Sequence, residues 1–321
     1  MEPSPSPPSP AATQALPPEN DGVSLGYFFA AAGAVLFSTK AIIIKLAYAE
    51  AISAETLLAL RMGLALPIYL AIGCLSLRHR IRRGDELPGL RLLLQSALVG
   101  ALGYWLASYA DFLGLQYISA QFERLILFTY PLFVVLFGAL FFGQRVQVRT
   151  LLAFAVSYTG LALIFSENLS LEGEDVVVGS VFVLTAAIAF ALYQLLAKEM
   201  ISKVGPRLFT CIAMLGATIG AFIPFVAMEQ VSTIFVGPRL LSYGILIAIF
   251  ATVLPSFLLS EALHRISAQA NGVIGTLSPL VTIILAALIL GESLTLIGII
   301  GTSLVLGGVG WFTLAKNSQA Q

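Results

Sequence analysis

Five ionisable residues interrupt apolar runs in the first half of this chain: Lys40, Arg61, Asp111, Glu123 and Arg124. An ionised side chain at membrane depth costs about 2.5–3.5 kcal/mol on insertion scales, so it faces a wet cavity or an opposite charge. Three cations against two carboxylates favour a carboxylate-bearing solute, because surplus positive charge in a low dielectric attracts an anion. Adding Glu55 cancels the surplus, and a zwitterionic amino acid also suits a site of both signs. Both solute classes therefore stay open, as does coupling to a proton or a counter-substrate. Tyr104, Trp105, Tyr109, Tyr193 and Gln194 are candidates for an amphipathic cavity wall. No HExxH, GxSxG or P-loop motif accompanies these residues. His79, His264, Cys74 and Cys211 are too few and too scattered for a metal set. No metal, no cofactor and no enzymatic role is expected.

The elements that must position these side chains are membrane helices. Of 321 residues, 58% are hydrophobic and 11% charged, against about 25% charged in an average soluble domain. Basic and acidic residues balance, so no broad basic surface exists to neutralise a nucleic acid backbone. Ten apolar segments have the length needed to cross a bilayer: 25–46, 54–75, 93–113, 119–142, 150–166, 179–197, 208–228, 240–260, 270–290 and 295–314. Residues 1–22 are rich in Pro and Ser, contain no Lys or Arg, and read as a disordered tail without the features of a cleaved signal. Arg and Lys concentrate in the connections after segments two, four, six and eight and in the C-terminal tail, including Arg78, Arg80, Arg82 and Arg83. That bias predicts both termini in the cytoplasm of a multi-pass protein of the cell membrane. The basic stretch is expected to touch anionic lipid.

Compared with itself, the chain repeats. ISAQ occurs at 118–121 and again at 266–269. At the same offset Pro131 matches Pro279, Gly143 matches Gly291 and Gly160 matches Gly308. An earlier register pairs Lys40 with Tyr193 and Lys45 with Lys198. The reading is two copies of a five-span unit, residues 25–166 and 179–314. Five is odd, so the second copy crosses in the opposite sense, an inverted repeat suited to alternating access.

The run FERLILFTYP at 122–131 after YISAQ, the hairpin FFGQR at 141–145, the second-copy stretch from Ile266 to Glu292 and the opening FSTKAIIIKLAY at 37–48 resemble the drug/metabolite transporter superfamily, in its EamA-type branch. The resemblance implies an all-α integral membrane protein of ten helices with a central cavity between two inverted five-helix repeats. It implies a lining from spans one, three, four, six, eight and nine, and a secondary transporter that exports or exchanges small polar metabolites. A passive channel or a lipid scramblase on the same scaffold is the alternative.

On that frame Lys40 and Glu123 are expected to contact substrate or coupling ion, joined by Arg61, Arg124, Tyr193 and Asn271, which occupies the position equivalent to Glu123. The competing structural reading is a helix-locking charge network, and Lys45 is expected to snorkel to the boundary. Pro131 and Pro279 are expected as kinks or gating hinges. Gly216-x-x-x-Gly220 permits close helix approach, either within the bundle or across a homodimer.

Overall fold

The structure, a computed structural model, describes residues 20–85, 87–142, 148–266, 274–275 and 277–317. The greater part of the expected tail, the hairpin at 143–147, the second ISAQ copy from Ser267 to Gln269, and Asn271 lie outside those residues. Every regular element among the described residues is helical.

Among the described residues, α-helices follow one another as α1 Asn20–Tyr48, α2 Ala54–Arg83, α3 Leu90–Gly100, α4 Ala107–Gly114, α5 Ala120–Leu127, α6 Tyr130–Phe142, α7 Val148–Glu172, α8 Asp175–Val204, α9 Pro206–Met228, α10 Pro238–Ala248, α11 Leu254–Arg265, α12 Leu277–Leu285 and α13 Leu296–Asn317. Several are parts of one longer rod. A π-helical turn, Ala101–Leu106, joins α3 to α4, and another, Ile249–Val253, joins α10 to α11. Eight rods are long and apolar enough to cross a membrane, and two shorter apolar helices, Leu277–Leu290 and Leu296–Trp311, fall in the last two of the ten apolar segments. Residues 267–273 and 276, at the start of the ninth segment, are among those not described.

Local chemistry explains the helix ends. Ser53 Oγ accepts from the Thr56 amide at 3.2 Å and opens α2, while Gly84, at φ 72°, closes it in the left-handed region. Ser119 of the first ISAQ caps α5 through the Phe122 amide. The two remaining amides of that first turn, Ala120 N and Gln121 N, donate to the Glu292 carboxylate at 2.8 and 3.1 Å. A carboxylate here also meets the positive end of the helix dipole. The hairpin of the second half thus holds the helix of the first.

Pro131 is the second residue of α6, directly after a break at Phe128–Thr129; Pro279 lies within α12, whose described beginning adjoins a residue that is not described. First-turn positions have no intrahelical acceptor for an N–H, so proline there removes no helical hydrogen bond. In the first half the chain bends through the Phe128–Thr129 turn, where Thr129 Oγ1 donates to the Ile126 carbonyl at 2.7 Å.

The helices approach through small residues. A methyl on Gly216 would lie 2.2 Å from the Ala97 carbonyl oxygen, and one on Gly100 would lie 2.1 Å from that of Ala213. Gly220 faces the Trp105 indole. The Gly216-x-x-x-Gly220 face is therefore filled within the chain, by α3 and the turn after it. Large apolar side chains such as Leu98, Leu140, Ile219 and Leu288 project outward, as lipid-facing side chains do because acyl chains replace water as their solvent.

Candidate functional site

Inside the bundle is a cavity of about 140 Å³, on a measure where one water takes about 10–15 Å³. It has room for a small metabolite. Ala30, Ala34, Phe37 and Lys40 of α1 form one wall; Gly103, Tyr104, Ala107, Ser108 and Asp111 of the first π-turn and α4 form another. Arg124 and Leu127 come from α5, Phe128 from the break after it and Tyr130 from α6, Phe190 and Gln194 from α8, Ala251, Thr252 and Leu259 from the second π-turn and α11, and Gly275 and Ser278 from the ninth segment. Arg61 reaches in from α2.

The two π-turns begin 148 residues apart, at Ala101 and Ile249, the offset that relates ISAQ to ISAQ. A π-turn widens the helix and displaces one carbonyl from its usual amide, which is one reason such turns occur at functional sites. In the first half the Tyr104 carbonyl accepts from Arg61 Nη2 at 3.3 Å. In the second, the Thr252 hydroxyl donates to the Ile247 carbonyl at 2.9 Å. Equivalent backbone distortions thus line one cavity from opposite halves.

The buried charges divide into pairs. Lys40 Nζ lies 2.5 Å from Asp111 Oδ2. Arg124 Nε lies 3.7 Å from Glu123 Oε2, and its Nη2 donates to the Phe37 carbonyl at 3.2 Å. Glu123 is fully buried, and its carboxyl lies within hydrogen-bonding contact of the Asp111 carboxyl. It stands behind the cavity wall. Arg61 has no carboxylate within ion-pair distance among the described residues. Its guanidinium lies 5.0 Å from the centre of the Phe112 ring, a cation–π contact, and touches Met62 Sδ at 4.0 Å.

Tyr193 sits behind the lining, its hydroxyl donating to Tyr104 Oη at 3.1 Å. It also belongs to an edge-to-face and stacked series, Tyr130 to Phe190 at 4.9 Å, Phe190 to Tyr193 at 5.7 Å and Tyr193 to Tyr104 at 5.0 Å. Tyr109 is turned away, donating to Glu55 Oε1 at 2.7 Å. Phe37, Phe128, Tyr130 and Phe190 of the lining were not marked by sequence, since apolar side chains in apolar segments give no contrast. Ser38 Oγ lies 3.0 Å from both Ser278 O and Ser278 Oγ, and Thr282 Oγ1 donates to the Ser38 carbonyl at 3.1 Å, fastening α1 to α12.

A more open cleft of about 350 Å³ lies where Arg80, Arg207, Glu261, His264 and Arg265 meet. There Glu261 pairs with Arg207 at 3.0 Å and with Arg265.

The EamA-like transporter family profile matches residues 24–166 and again 177–314. The chain belongs to that family. It is similar, at 30% identity over 86% of its length and 88% of the relative's, to a protein of Bacillus subtilis (strain 168) named as the uncharacterized transporter YcbK. The uncharacterized inner membrane transporter YedA of Escherichia coli (strain K12) is 25% identical over 77% of this chain and 80% of that one. A solved crystal structure superposes with a TM-score of 0.64 over 93% of this chain and 99% of that one, at 16% identity, a likeness of fold alone. The chain is thus a multi-pass membrane protein with two copies of the family unit and transporters as relatives.

Proposed function

We propose that the protein is a secondary transporter that exports or exchanges small polar metabolites by alternating access, with amino acids or other carboxylate-bearing solutes occupying the central cavity. In this reading ten helices form two inverted five-helix repeats, residues 25–166 and 179–314, behind a tail at 1–22, and both termini are cytoplasmic. Lys40, Arg61, Glu123, Arg124, Tyr193 and Asn271 form or support the site, and Pro131 and Pro279 mark where the rods change direction.

The observation that supports it best is one charged cavity bounded by elements of both family units, with π-turns at equivalent positions on its two sides. Two related halves around a shared site can exchange conformations, so that the cavity opens first to one face and then to the other. The surrounding apolar surface makes lipid the remaining partner.

Counterflow in vesicles containing the purified protein tests the reading. A metabolite whose uptake accelerates when the lumen is preloaded with the same compound marks a carrier and names its solute. Uptake indifferent to preloading marks a channel, and lipid exchange without solute uptake marks a scramblase.

A further inference from the structure

The two ion pairs of the central cluster leave one cation over. Lys40 is matched by Asp111 and Arg124 by Glu123. Arg61 is not matched, although it is 2% exposed and lines the cavity. Glu55 does not balance it: that carboxylate begins α2, where the helix dipole and the Tyr109 hydroxyl hold it, six residues away and so about 9 Å along the axis at about 1.5 Å per residue.

The guanidinium is fixed from two sides, by the Phe112 ring and by the carbonyl of Tyr104. One hydrogen bond to oxygen uses one of five donors, and Nε is buried without a partner. A buried charged donor left unsatisfied is costly, and the planar fork of guanidinium matches the two oxygens of a carboxylate.

Resting on the reading that this cavity is the substrate site, we infer that Arg61 binds the carboxylate of a small organic acid that has no ammonium group. An ammonium would need a carboxylate to balance its charge. Asp111 Oδ2 is held by Lys40, and the buried Asp111 and Glu123 carboxyls face each other. The other acceptors of the lining, among them the Thr252 and Ser278 hydroxyls and the Gln194 side chain, are neutral and bring no charge to balance an ammonium. Three cations around the same space repel a fourth. A surplus of positive charge matches an anion, and the rings of Phe37, Phe128, Tyr130 and Phe190 suit an apolar body.

Three probes with one body separate the possibilities: 3-phenylpropionate, L-phenylalanine and 2-phenylethylamine, titrated by calorimetry into the purified full-length protein in detergent. The expected order is 3-phenylpropionate tightest, by at least about tenfold over L-phenylalanine, with 2-phenylethylamine weakest. Arg61→Gln removes the preference and Arg61→Lys, which retains the charge without the fork, keeps part of it. Size-exclusion profiles establish that each variant is folded, and if Arg61→Gln is not, Arg61→Lys and Phe112→Leu, each expected to weaken only the acid, serve instead. Equal or tighter binding of L-phenylalanine, binding of none of the three, or undiminished acid binding in the folded variants overturns the assignment. Binding of the acid without counterflow upholds the site and removes the transporter reading. Counterflow of L-phenylalanine without binding of the acid does the reverse.

Discussion

Lys40 Nζ and Asp111 Oδ2 are in direct contact, 2.5 Å apart, across the interface between α1 and α4. Both side chains are at least nine-tenths buried. Removing one member of such a pair leaves an uncompensated charge, whereas removing both leaves a cavity wall of apolar atoms.

Lys40→Met is therefore expected to destabilise the protein by about 3–5 kcal/mol, and Lys40→Met with Asp111→Leu to recover most of the loss. Thermal unfolding of the two singles and the double in detergent measures the coupling. Additive losses would show that the pair contributes no interaction of its own.

Close helix contact makes a second expectation. Gly216→Val places side-chain atoms against the Ala97 carbonyl, where even a single methyl would be 2.2 Å away. Because the obstacle is backbone, α3 and α9 must separate, at a cost of about 1–3 kcal/mol or more. A lower melting temperature with the oligomeric state unchanged is expected; a change in oligomeric state alone would place this face between subunits.

The charge bias of the connections predicts sidedness. A reporter fused after Ser170 is expected outside and one fused after Val204 inside, since α8 lies between the two positions. Enzymatic activity of the two fusions in whole cells reads this. Both on one side would remove a span and with it the inverted relation of the halves.

Much of the site was legible because charge stands out in an apolar segment. Lys40, Arg61, Asp111 and Arg124 all line the cavity, with Glu123 directly behind. Their pairing was not legible. Which carboxylate meets Lys40 depends on the rotation of each rod about its axis, and the π-turn at Ala101–Leu106 resets that rotation without any residue type announcing it. Arg61 donates to the Tyr104 carbonyl in that turn, while Glu55, on the same helix as Arg61, accepts from Tyr109. Aromatic lining residues such as Phe128 and Phe190 are invisible for the opposite reason, being ordinary members of membrane segments. The repeat was legible in ISAQ and the prolines, but the hold of Glu292 on the amides of Ala120 and Gln121 joins hairpin to helix between the halves and has no signature within either.

Alternating exposure of the central cavity is tested most directly at Ser108, which lines it. In a protein carrying Ser108→Cys, with Cys74→Ser and Cys211→Ala removing the native thiols, a membrane-impermeant maleimide is applied to either face of sealed vesicles. Modification from both faces is predicted. When Gln121→Cys and Glu292→Cys are added and oxidised to a disulfide, modification is predicted from the cytoplasmic face alone, because the contact between hairpin and α5 then cannot open. Continued modification from both faces of the locked protein, or from neither face at any stage, would contradict the account.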